Sequence, residues 1–116
     1  MTTREPFALS SDLPWETLGG GVRRQLLGHV ADLMMVRVDF DAHAIGAIHH
    51  HPHRQASYVA AGRFRVTVGE RVCELSAGDC FITVADVPHG VVALEAGTLV
   101  DVFTPARTDF LPTPVP

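Results

Sequence analysis

The chain has 116 residues, 47% of them hydrophobic, and a formal net charge of −4, which suits one compact domain with a real core and leaves no room for a second. Its acidic balance and dispersed arginines exclude the concentrated basic face that nucleic acid requires, so small molecules are the expected partners. The longest apolar run, 33–36, is too short to span a bilayer, and the opening M-T-T-R-E-P lacks the apolar core of a secretion signal; a soluble, cytoplasmic protein with no membrane partner is expected.

An irregular opening with Pro6, Pro14 and Trp15 forms a short N-terminal arm, 1–21, that ends at Gly19-Gly20-Gly21. These glycines lack the strand-to-helix setting of a phosphate loop and read as a hinge. Strands are predicted at 22–27, 32–40, 47–51, 56–61, 63–68, 71–75, 80–84, 90–94 and 98–103. Turn signals separate them, among them Gly46, Pro52, Gly62, Gly69, Gly78, Pro88 and Gly97. Helical periodicity is nearly absent. So many short strands in one small domain predict an all-β sandwich or barrel, best a double-sheet jelly roll. The single domain spans 1–116, with a core of about 22–111 and a proline-rich tail, 112–116, expected to be mobile.

The chemistry concentrates between Gly46 and Gly62, where His49, His50, His51, His53 and Gln55 crowd together, followed later by Pro88-His89-Gly90. In a strand, alternate residues share a face. Parity groups His49, His51 and Gln55 and sends His50 outward. It also groups Asp101 with Leu99 and Phe103. Imidazole and amide donors at this spacing predict a metal site with His49, His51 and Gln55 among its ligands. Cys73 and Cys80 lack paired metal-finger spacing and read as free thiols. At least one of Met34 and Met35 belongs to the core. Apolar residues in an arm too short to bury itself, Trp15 and Leu18, predict that it adds to a partner's sheet in a homodimer.

These motifs resemble the cupin superfamily, specifically its small single-domain metal-dependent members. The family's first motif, His-x-His followed by Glu and a closing Gly, is met by His49, His51, Gln55 and Gly62, with glutamine in place of glutamate. Its second motif supplies His89 after the Gly78-Asp79 turn, although Val84 and Ala85 stand where the family has prolines and Ala93 where it has asparagine. The resemblance implies a double-stranded β-helix, the jelly-roll barrel of that family. The closing stretch D-V-F-T-P-A-R-T-D-F-L looks like that of small cupins that process unsaturated uronates in pectin breakdown. By that likeness Asp101, Phe103 and Arg107 line the pocket. The His-His-Gln-His set also resembles the resistomycin-type polyketide cyclases.

Four neutral ligands leave a divalent ion its full charge, which favours Lewis-acid chemistry on a carbonyl over oxygen activation. Zinc is the expected ion, with nickel, iron, manganese or copper as alternatives. Asp101 is the candidate base, Arg107 a clamp for a carboxylate or enolate oxygen, and His53 a proton shuttle if Pro52 turns it inward. Phe103 and Tyr58 are the candidate substrate contacts. The main expectation is a polyketide cyclase that closes a ring through an enolate in antibiotic biosynthesis. It rests on Arg54 before Gln55, on the small Ala56, Ser57, Ala60 and Ala61 making room for a polycyclic substrate, and on a lysine-free composition. The alternative is a ring-opening, tautomerising enzyme for unsaturated uronates of pectin or alginate. A cupin dioxygenase and a non-catalytic small-molecule sensor are further alternatives.

Overall fold

A computed structural model describes residues 6–111. The expected C-terminal tail, 112–116, lies outside the described residues. Ten strands run in chain order: β1 Glu16–Gly19, β2 Val22–Val30, β3 Leu33–Phe40, β4 Ile45–His49, β5 Arg54–Ala61, β6 Arg63–Val68, β7 Arg71–Ser76, β8 Cys80–Thr83, β9 His89–Ala93 and β10 Gly97–Thr104. They form two antiparallel sheets, of order β1-β2-β3-β10-β5-β8 and β4-β9-β6-β7. Among the described residues no helix is long and apolar enough to cross a membrane.

Alternation along β3 and β5 shows why the sheets face each other. Met34, Val36, Val38 and Phe40 are buried while their neighbours are not, and in β5 the buried set is Gln55, Ser57 and Val59. Phe64, Val66, Val91 and Ala93 answer from the smaller sheet. Phe40 and Phe64 bridge the layers edge to face, with ring centroids 5.2 Å apart, a favoured aromatic geometry. Burying such a side chain contributes roughly 1.5–3 kcal/mol. The polar inward residues Gln55 and Ser57 continue the same buried face of β5 as Val59.

Three expectations need correction here. Gly19, Gly20 and Gly21 all have positive φ and make the turn of a β1–β2 hairpin, a conformation that glycine takes at no steric cost; they are no hinge. The described part of the arm, 6–21, therefore folds onto its own sheet. The Gln25 side-chain amide donates to the Ser10 and Leu13 carbonyls, and Trp15 packs against the Arg23 guanidinium at 4.0 Å. Finally, the strand predicted at 47–51 ends at His49, so His51 sits in the Pro52 connection.

Other expectations agree with the fold. Met34 is buried and Met35 exposed; Cys73 and Cys80 are exposed free thiols.

Candidate metal centre

Strict alternation does not explain how His49 meets His89. Gly46 pairs with Val91 and His49 with His89, three residues on β4 against two on β9. That extra residue is a β-bulge, which re-aims the strand's side chains. Gly90 makes it possible: a Cβ there would lie 2.9 Å from the Gly46 carbonyl oxygen and from the Ile48 nitrogen. The connection through Pro52 then brings in His51, and β5 brings in Gln55.

The ligand atoms of His49, His51 and His89 lie within 4.8 Å of one another. His51 and His89 are buried, while His49 forms the exposed side. Each imidazole is oriented by a backbone carbonyl at Nδ1: Ala47 for His49 and Val87 for His89, both at 2.8 Å, and His53 for His51 at 3.1 Å. A proton on Nδ1 leaves the Nε2 lone pair for a metal, the outer-shell arrangement typical of metal-bound histidine. The buried Nε2 of His89 has no hydrogen-bond partner among the described residues. Burial first, then Arg107's charge, lowers the pKa of His51; burial also lowers that of His89. Both shifts favour the neutral ring, the form in which a histidine can bind a metal.

Gln55 supplies the most specific sign that this cluster fits a cation. Its Oε1 lies 3.1 Å from His51 Nε2. A neutral imidazole has one N–H, yet the His53 carbonyl and Gln55 Oε1 both face it as acceptors. A cation between Nε2 and Oε1 removes the conflict. The donor set, three imidazoles and an amide oxygen, suits a divalent transition metal.

Behind Gln55 runs a hydrogen-bonded chain. Gln55 Nε2 donates to Ser57 Oγ at 2.8 Å, and Ser57 Oγ donates to Asp101 Oδ1 at 2.6 Å. Burial pushes the Asp101 carboxyl up to about 6, against the opposing pull of the Ser57 hydrogen bond and the Arg107 charge. A carboxyl so poised exchanges protons near neutral pH. Phe103, 2% exposed, sets its ring 5.8 Å from that of His51. His53 does turn inward, with its ring 5.2 Å from His51. His50 points out and sits 3.7 Å from Asp86.

Arg107 is buried, with Phe103 and Phe110 beside its guanidinium at 5.2 and 4.2 Å. Its carboxylate partner is Asp109, which takes Nε at 3.0 Å and Nη2 at 2.8 Å. Asp109 was not foreseen, though it lies two residues on in the same segment. Tyr58 must be withdrawn as a substrate contact. It alternates with Ser57 and Val59, faces outward and is 50% exposed. Arg54, Ala56, Ala60 and Ala61 are exposed too, so they do not enlarge the interior. Ser57 is the exception among the small residues: it faces inward, fully buried, and its hydroxyl is what matters.

A two-sheet β-roll with a histidine cluster beside its inward polar residues defines a cupin, and the Cupin domain family matches residues 36–103. The chain belongs to that family. It is 44% identical over 107 residues to the pectin degradation protein KdgF of Dickeya dadantii, covering 90% of this chain and 97% of that protein. Among solved structures, an RmlC-like cupin from Shewanella frigidimarina superposes with a TM-score of 0.89 at 43% identity, covering 92% of this chain and 96% of that one. KdgF from Halomonas sp. gives 0.87 at 37% identity, covering 90% and 97%. These likenesses favour the uronate alternative and lend the polyketide cyclase no support.

Proposed function

We propose that this protein is an enzyme of pectin breakdown that opens and tautomerises 4,5-unsaturated monouronates. The observation that carries the reading is the convergence of Asp101, Arg107 and Phe103 on the histidine cluster, in a chain similar over nearly its whole length to a pectin degradation protein.

A divalent cation held by His49, His51, Gln55 and His89, zinc in our reading, would supply positive charge that favours an anionic substrate oxygen over its neutral form. Arg107 binds the substrate carboxylate. Its Nε and Nη2 are committed to Asp109, which holds the guanidinium in place and directs the remaining nitrogen to the substrate. Phe103 forms the wall that excludes water from the sugar face.

The reaction is an isomerisation, so no oxidant or added water is needed. Loss of the C1 hydroxyl proton makes the aldehyde as the bond from C1 to the ring oxygen breaks. The electron pair stays on that oxygen, now the enolate oxygen at C5. Protonation at C4 gives the ketone. Asp101, with its carboxyl near 6, takes the first proton as carboxylate and returns it to C4. His53 exchanges protons between that region and solvent.

Purified protein mixed with a 4,5-unsaturated galacturonate tests this directly. The ultraviolet absorbance of the conjugated double bond should decay far faster than without protein, with the open-chain keto acid as product. An unchanged decay rate rejects the reading. Cytoplasmic location and a homodimer remain part of the proposal. The latter is supported by the exposed apolar residues Met35, Tyr58 and Ile82 on the outside of the large sheet, and a monomer alone in sedimentation at micromolar protein would reject it.

A further inference from the structure

Ser57 is fully buried on β5 and stands directly opposite Asp101 in the β5–β10 pairing. Its hydroxyl has one proton, and that proton goes to Asp101 Oδ1 at 2.6 Å. The oxygen can then only accept, and it accepts from Gln55 Nε2 at 2.8 Å. An amide that gives its NH2 to Ser57 must turn its oxygen the other way, and Oε1 does lie toward His51 Nε2. Were the amide reversed, two donors would face the histidines and a cation would be repelled. A glutamate ligand has no such problem, because its two oxygens are alike.

We propose that Ser57 is a positioning residue for the metal: by donating to Asp101 it fixes which end of the Gln55 amide faces the histidine cluster. The device is needed because this chain has glutamine at that position. The inference rests on the reading of His49, His51, Gln55 and His89 as metal ligands. It ties the ligand set to position 101 through one hydroxyl, so loss of the acceptor there is felt at the metal.

The test is zinc affinity, measured on metal-stripped protein by competition with a chromophoric chelator, with folding of each variant followed by circular dichroism. Ser57→Ala should weaken zinc binding by roughly 10-fold or more, as loss of an outer-shell partner does. The same substitution in the Gln55→Glu background should change affinity by less than about 2-fold, since a carboxylate needs no orienting. Equal losses in both backgrounds, or no loss in either, would overturn the proposal. Should Ser57→Ala not fold, the other end of the chain is probed. Asp101→Asn keeps an acceptor for the hydroxyl and should bind zinc as the parent does, whereas Asp101→Ala frees the hydroxyl and should bind it more weakly. Equal affinity of the two overturns the idea. A parent protein that binds no zinc, or binds it equally well after His51→Ala, instead removes the metal reading beneath it.

Discussion

Ser57 and Asp101 face each other across β5 and β10, joined by a 2.6 Å hydrogen bond from the serine hydroxyl to the carboxylate. Forty-four residues separate them in the chain. The pairing puts the Asp101 carboxyl and the Gln55 amide on one inward face, linked through the serine hydroxyl.

Asp101→Asn should slow uronate isomerisation by about 100-fold or more, the usual worth of a general acid–base group. It should also stabilise the metal-free protein above neutral pH. The folded carboxyl titrates near 6 against 3.8 for the ordinary group. Its raised value means that stability is fully present below about 4 and declines as pH rises through about 6. The loss is at most about 3 kcal/mol. Urea unfolding at pH 4 and pH 8, with chelator present, checks this: the asparagine variant should gain over the parent only at the higher pH.

Metal removal should abolish turnover, and zinc or another divalent ion should restore it. His89→Ala and His51→Ala should lose bound metal, measured by elemental analysis, while keeping the strand content of the parent. Full activity in a clean metal-free preparation would refute the role assigned to the cluster.

Gly90→Ala should damage the site without touching a ligand. The new Cβ would meet the β4 backbone at 2.9 Å and push the bulge that carries His49 away from His89. A stability loss of about 1–3 kcal/mol, the usual cost of overpacking, should accompany a fall in metal affinity. A thermal melt and a metal titration read the two effects.

Arg107→Lys retains the charge but not the fork that engages Asp109 at Nε and Nη2. A lysine is a poor substitute at a bidentate site. The expected outcome is a KM for the uronate raised by about 10-fold or more, some 1.4 kcal/mol of binding, with kcat less affected. Steady-state kinetics on the two proteins decide it.

Much of the fold was legible in the chain because its signals are local. The strands on both sides of Gly62 lie within a residue or two of their expected bounds, since glycine turns and alternating apolar residues act on near neighbours. The hairpin at Gly19-Gly20-Gly21 is not legible in the same way. Its turn is defined by the pairing of Thr17 with Arg23, which the glycines alone do not announce. Parity correctly placed Gln55 and Asp101 inward. The same rule applied to Tyr58 would have turned it outward, and applied to Ser57 would have marked a buried hydroxyl instead of a mere gap.

By itself the sequence determined the chemical kinds of the site: three imidazoles and an amide near one another, a carboxyl on an inward strand face, an arginine near the end. Those depend on residue type and on the two-residue period of a strand, both readable along a line. Only the tertiary structure decided how they meet. The β4 bulge brings His49 opposite His89, and the β5–β10 register sets Ser57 against Asp101. Each is a relation between segments distant in the chain or a departure from strand regularity. Such relations are settled by packing and by hydrogen bonds that must be satisfied in a buried interior, where no local pattern records them.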